Sequence, residues 1–300
     1  MLSLYQLRAF LEFARLGSVQ EAADALVVSQ PAVSAALAGL QKALGVKLTE
    51  RDGRGIRLTE AGKAFALSGR RILASLEDAR RHAHEIAATQ AGRLRIAAVT
   101  TAAEHLVPLM LQRFRESHPR VEVELDVGNH AHMWDRLRHW ETDLVVGGRP
   151  PHELPLRTLA TRAHELIVIA PVDAAFAALP LGAATWLVRE AGSGTRAATE
   201  GVFDALGIDP PRLTIASNGA INACVRAGLG YSLVSRDAAA RDLEEGVLRQ
   251  VETPVTPLNR QWHLVAARDR ELPSAVARFV AFAVEESAFV AQPEADERTA

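Results

Sequence analysis

From Leu4 to Leu44 the apolar positions fall at helical spacing. Leu4, Leu7, Phe10, Leu11 and Ala14 line one face of a first helix. Gly17 then ends it, as a C-terminal glycine commonly does. Ser18 and Glu21 stand three apart, a capping-box spacing that opens a short second helix with Ala22, Ala23 and Leu26 inward. After a turn at Val27-Val28, Ser29 is placed to cap a third helix that tolerates Pro31 in its first turn. Val33, Leu37, Leu40 and Leu44 form the buried stripe of that helix. Two helices joined by a tight turn, the second opening on small polar residues, make a helix-turn-helix pattern.

The pattern then changes twice. "ERDGRGIRLTEAG" (50–62) sets Arg51, Arg54 and Arg57 around Gly53 and Gly55, which predicts a tight β-turn or wing. From there Phe65, Gly69, Ile72, Leu76, Ala79, Ala83 and Ile86 alternate at spacings of four and three, a heptad seam. Small residues at 69, 79 and 83 let two such helices approach closely, so this is read as a dimer helix. An ordinary amphipathic helix lying on its own domain is the plainer alternative.

Beyond residue 90 short apolar strands alternate with helices. Strands are predicted at 93–99, 121–127, 143–147, 165–170, 185–189, 212–216, 231–235 and 261–267. Helices are predicted at 104–117, 131–139, 174–179, 196–206, 220–227, 236–245 and 273–288. The alternation argues for α/β units in two largely parallel sheets, the second restarting near His164. Ligands of such sheets sit at the carboxyl ends of strands, beside helix N-termini. Four segments meet that description: Thr100-Thr101, with Thr101 and Glu104 at capping-box spacing; Asn129; "REAGSGTR" with Ser193, Gly194, Thr195 and Arg196; and Ser217-Asn218-Gly219. Each alone is adequately explained as a helix cap. Together they predict a cleft for a small anion, since short hydroxyls, amides and glycines before helices expose backbone N–H groups. Arg196 and Arg149 are available to supply charge there, or to form internal ion pairs.

Charge sharpens the division. Residues 1–90 hold 12 Lys+Arg against 9 Asp+Glu, and residues 91–300 hold 22 against 27. A mildly basic head on an acidic body points to nucleic acid at one end. No apolar run approaches the roughly 18 residues that span a bilayer, and Arg8, Glu12 and Arg15 interrupt the N-terminal segment, so a cytoplasmic chain without membrane contact is expected. The single Cys224 excludes an intramolecular disulfide and a CxxC metal site; it reads as a small core residue. "EAGSGT" is neither GxSxG, GxGxxG nor GxxxxGK[ST], which removes Ser193 as a nucleophile and leaves no catalytic residue. His130 and His132 lack partners at ligand spacing and read as surface histidines; no metal or cofactor is expected.

On the third helix the outward face begins Gln30, Pro31, Ala32, Ser34 and Ala35, behind Ser29. N-terminal residues of such a helix meet base edges in the major groove. Gln30 has the amide geometry for adenine, Ala32 and Ala35 fit thymine methyls, and Ser34 can donate or accept. The wing guanidiniums of Arg51, Arg54 and Arg57 suit phosphates. A small solvated helical domain that never touches DNA is the alternative.

"GSVQEAADALVVSQPAVSAALAGLQKALGVKL" followed by "RLTEAG" resembles the DNA-binding segment of LysR-type transcriptional regulators, and the resemblance extends over essentially the whole chain. It implies an N-terminal all-α winged helix-turn-helix, a long linker helix that dimerises, and a C-terminal α/β region. That region would comprise two Rossmann-like subdomains of periplasmic-binding-protein type around an effector. The chain would cross between them near Thr161–Ala163 and Val265–Ala267. Two departures stand out. Thr49 replaces the usual Phe of "LFER", which is expected to loosen packing beneath the wing, and Ala35 replaces a frequent Arg, which implies an altered operator preference. "VTTAAEHLVP", "DLVVGGRPP", "LVREAGSGTR" and "SNGAINACVRAGLGYSLVS" are most similar to the branch of carbon-fixation and sulfur-metabolism regulators, whose effectors are mostly small anions. By that likeness Thr100, Thr101, Asn129, Ser193, Gly194, Thr195, Arg196 and Asn218 line the effector cleft.

The expected organisation is therefore a DNA-binding domain (1–60), a dimer helix (61–90) and an effector-binding domain (91–300). The last divides into one subdomain of about 91–162 with 266–290, a second of about 163–265, and a flexible tail at 291–300. Promoter DNA, a small anionic metabolite, further copies of the chain as a dimer of dimers, and RNA polymerase are the expected partners, at the nucleoid. A metabolite-binding protein or enzyme with an appended helical dimerisation domain is the competing reading.

Overall fold

The computed structural model describes residues 2–53, 55–87, 92–173 and 179–293, with side chains at 81, 82 and 84–87 left out. Arg54, the side chain of Ile86, most of the helical pattern at 174–179 and residues 294–300 of the tail lie outside the described residues. The chain divides into two compact units, Met1–His84 and Glu85–Ala300. Among the described residues no single helix is long and apolar enough to cross a membrane.

In the first unit α1 (Leu4–Leu16) starts on a complete Ser3–Gln6 capping box and stops at Gly17, whose φ of 72° only glycine adopts without strain. Ser18 accepts the Glu21 N–H at the head of α2 (Val19–Leu26), and α3 (Gln30–Leu44) ends on Gly45. Leu7, Phe10, Phe13, Val33, Leu37 and Leu40 close the core between them. Ser29 occupies the N-cap position of α3, but its side chain makes no capping bond, so that expectation fails; its hydroxyl is left on the exposed end of the helix.

The wing is an antiparallel hairpin of β1 (Thr49–Asp52) and β2 (Gly55–Leu58). Its root is tied polar rather than packed: Gln41 Oε1 accepts from Leu48 N (2.8 Å), Thr49 N (3.1 Å) and Thr49 Oγ1 (3.3 Å). Thr49 thus replaces an aromatic plug with a hydrogen bond. The "LTEAG" segment has an equally physical basis. Thr59 Oγ1 donates to Lys47 O and accepts from Gly62 N, opening α4 (Glu60–Ala87). A Cβ on Gly62 would stand 2.0 Å from Leu48 O, so only glycine fits. Phe65 packs edge-on against Phe10 (5.4 Å) and Gly69 abuts Leu7, which places the start of the predicted seam on its own domain. Ile72 and Leu76, 52% and 41% exposed, together with exposed Ala79 and Ala83, leave the rest of the seam uncovered.

In the second unit β3 (Arg93–Val99) lies between β4 (Glu122–Gly128) and β5 (Leu144–Gly147), all parallel. Packed on these strands are α5 (Thr100–His105), α6 (Val107–Ser117), α7 (His130–Arg138) and the late helix α11 (Ser274–Glu286). Leu94, Ile96, Phe114, Leu144 and Phe279 form the core of this half. The helix expected at 104–117 is two helices, because Pro108 in the first turn of α6 favours a fresh start. The other half has the parallel pair β7 (Trp186–Val188) and β8 (Arg212–Thr214), with α8 (Gly194–Leu206), α9 (Asn218–Arg226) and α10 (Arg236–Glu244). Trp186, Phe203 and Tyr231 anchor its core.

Two long strands join the halves. β6 (Leu156–Pro171) and β11 (Leu258–Ala267) pair antiparallel along their shared length, with Ala163 opposite Gln261. β9 (Ser232–Ser235) and β10 (Leu248–Val251) flank the far end of β6, β5 pairs β11, and β12 (Val290–Ala291) pairs the middle of β6. The expectation of largely parallel, separate sheets is corrected here: the crossing ribbon is antiparallel and merges eight strands into one sheet.

Candidate functional site

Three parallel strands of the first half end at one place. Beyond β3 come Thr100 and Thr101, beyond β4 Asn129 and His130, beyond β5 Gly148 and Arg149. Facing them are Gly192, Ser193, Gly194, Thr195 and Arg196 at the N-terminus of α8, and the crossing ribbon supplies His164, Arg260 and Trp262. These groups enclose a cavity of about 570 Å³. The loop before α8 is brought close by its glycine: Gly192 has φ 85°, and a Cβ there would lie 3.4 Å from Asn129 Nδ2. Asn129 caps α7 by accepting the His132 N–H (3.1 Å). Ser193 is 9% exposed and makes no side-chain capping bond, which leaves its hydroxyl for another partner. The first turns of α7 and α8 line this space, so their positive dipole ends lie beside it.

Of the two courses open to Arg196 and Arg149, charge for the cleft or an internal ion pair, each arginine takes a different one. Arg196 is committed to Glu200, one turn on, and to Arg189 O (3.1 Å). Arg189 is held by Glu190 and Asn218. Among the described residues Arg149 and Arg260 have no carboxylate within ion-pair distance, so they are the guanidiniums available to an anion. His130 lines the cleft rather than standing free on the surface; its Nε2 meets Trp134 Nε1 at 2.9 Å and burial lowers its pKa. His164 lies flat on Trp262, ring centroids 4.0 Å apart at 11°, and burial brings its pKa down to about 4. Both rings are therefore neutral at pH 7.

Asn218 is the predicted cleft residue that the structure puts elsewhere. It does not line the cavity; at 4% exposed it sits behind it, donating to Thr101 Oγ1 and Glu104 Oε2 (3.0 Å each). The Thr101–Glu104 capping box does not form either, since Thr101 already lies inside α5. Sequence reading misses Arg260, His164 and Trp262. Alternation Leu258, Arg260, Trp262, Leu264 is the available signal: one strand face on which a charged residue takes an inward position.

In the first unit Ser29, Gln30, Pro31, Ser34 and Ala35 are exposed at the head of α3, and Ala32 is half-buried beside them. Arg51 and Arg57 are exposed on the wing, Arg57 sharing an ion pair with Glu50 (2.9 Å). A helix N-terminus free of carboxylates next to a cationic hairpin is the shape of a groove-reading module.

The comparisons with known proteins agree with both geometries. Residues 4–63 match the family model "Bacterial regulatory helix-turn-helix protein, lysR family", and residues 87–288 match "LysR substrate binding domain". The HTH-type transcriptional activator CmpR of Synechocystis sp. is 32% identical, over 97% of this chain and 98% of its own. The RuBisCO operon transcriptional regulator of Allochromatium vinosum is 34% identical, over 95% and 97%. Among solved structures, the regulatory domain of CcmR from Synechocystis PCC6803 in complex with 2-PG superposes with a TM-score of 0.60 at 29% identity, covering 65% of this chain and 98% of that one. The chain belongs to the LysR family of DNA-binding transcriptional regulators, in the branch of the carbon-fixation regulators.

Proposed function

We propose that the cleft between the two halves of the second unit binds a small anionic metabolite, and that its occupancy alters promoter binding or bending. One observation carries this reading: three strand-to-helix loops, two of them heading helices of nine residues or more, converge with Arg149 and Arg260 on a single cavity. Thr100, Thr101, Asn129, Ser193, Gly194 and Thr195 supply hydroxyls, an amide and backbone N–H groups, and the two arginines supply charge. The CcmR regulatory domain binds 2-PG in its own structure, which makes 2-PG the first probe here.

The remaining assignments follow from the same reading. Gln30, Pro31, Ala32, Ser34 and Ala35, behind Ser29, present the face that meets base edges, while Arg51, Arg54 and Arg57 hold the phosphate backbone. Ile72, Leu76, Ala79 and Ala83 form the seam with a second copy, and two such dimers associate on DNA alongside RNA polymerase in the cytoplasm. The cleft is tested by calorimetric titration of 2-PG and inorganic phosphate. Arg260→Ala and Ser193→Ala should each weaken binding about tenfold, roughly 1.4 kcal/mol. Unchanged affinity in both variants would place the anion elsewhere.

A further inference from the structure

Asn218 has a fully specified amide. Arg189 Nη1 approaches one end, and Glu104 Oε2 lies 3.0 Å from the other. A guanidinium can only donate and a carboxylate only accept, so the first end is Oδ1 and the second Nδ2. Nδ2 also reaches Thr101 Oγ1 at 3.0 Å. Thr101 therefore accepts from Asn218, and its hydroxyl proton is left over. Among the described residues no hydrogen bond uses that proton, and Thr101 lines the cavity that Asn218 does not reach. Arg189 and Asn218 are 3% and 4% exposed, so water does not substitute for either.

We infer that Asn218 is a positioning residue for the effector site: by occupying the acceptor side of Thr101, it turns the Thr101 hydroxyl into a fixed donor aimed at the cleft. The inference rests on the cleft being the anion site. The bond set also crosses between the halves, since Thr101 and Glu104 belong to α5 and Asn218 to α9, 117 and 114 residues apart. A pre-set donor beside an anion loses no energy to reorientation on binding, and a hydroxyl that already accepts a hydrogen bond is a stronger donor. The sequence pattern places Asn218 against the ligand; the structure assigns it one bond further back.

A polarity swap tests this. Asn218→Asp with Glu104→Gln conserves charge and reverses the bond between the two positions: the new amide at 104 donates to the new carboxylate at 218. That carboxylate cannot donate, so Thr101 must now donate to it, and the hydroxyl proton leaves the cleft. The swap should melt within a few degrees of the wild type yet bind inorganic phosphate and 2-PG about tenfold more weakly. Thr101→Val should cost about tenfold in the wild type and nothing further in the swap. If the swap does not fold, Asn218→Ala with Thr101→Val carries the same non-additivity test. Wild-type affinity in the swap, or additive losses with Thr101→Val, overturns the inference alone. A wild type that binds neither anion overturns the cleft reading and the inference with it.

Discussion

His164 shows how a single residue can tie the cleft to pH. Burial is the main cause of its low pKa, Asp237 opposes the shift, and Arg260 adds to it. A histidine whose folded pKa lies below its ordinary 6.5 takes up protons more readily when unfolded, so its full contribution to stability holds above pH 6.5. That contribution is lost as pH falls from 6.5 towards 4. All four tryptophans, at 134, 140, 186 and 262, lie in the second unit, so their fluorescence follows that unit selectively. Denaturant unfolding at pH 7 and pH 5 should show that His164→Phe, which keeps a ring on Trp262, removes about 1–2 kcal/mol of the wild type's acid loss. An unchanged acid loss in that variant would mean His164 is not the titrating group. At this scale the sequence is only partly legible. Ser193 and Asn129 are marked by local signals, a glycine turn and a cap. Asn218 carries the same local signal, but its partners Thr101 and Glu104 lie more than a hundred residues away and Arg189 lies 29 away, and no spacing rule reaches them.

Elements are easier to read where the forces are local. The first three helices follow from apolar spacing plus Ser3, Ser18, Gly17 and Gly45, all acting within a turn of the helix end. For β6 the apolar pattern predicts only 165–170, whereas the strand runs over 16 residues, because Arg157, Thr158, Arg162 and His164 break the apolar run that signals a buried strand. Its pairing with β11, about a hundred residues later, overrides that weak local preference. β12 has only two residues, and β10 carries Arg249 and Gln250 between Leu248 and Val251, so neither presents an apolar run. The wing offers the sharpest element-level test. Gly62→Ala drives a methyl into Leu48 O, a backbone atom that cannot swing aside, and should destabilise the first unit by about 1–3 kcal/mol. Helix melting followed by circular dichroism should show that unit unfolding earlier while the tryptophan-monitored transition stays put. A single transition, unmoved, would show that the hairpin and α4 separate freely.

Across the whole molecule the two units divide the chemistry: a head that is net basic over residues 1–90 and a body that is net acidic from 91 onward. So small a cationic excess gives each head a weak hold on DNA, so the dimer proposed along Ile72, Leu76, Ala79 and Ala83 would raise affinity by doubling the contact. Regulation then requires that the cleft and the head share a coupling free energy, typically about 1–3 kcal/mol or roughly 5- to 150-fold in affinity. The most direct measurement is a nuclease-footprint titration on DNA upstream of the protein's own gene, with and without 2-PG at a concentration shown by calorimetry to saturate the cleft. The wild type should show a shift of at least about fivefold in the midpoint, or a changed length of protected DNA, and Thr101→Val and Ser193→Ala should show neither. Identical footprints and midpoints with the cleft full and empty would contradict it.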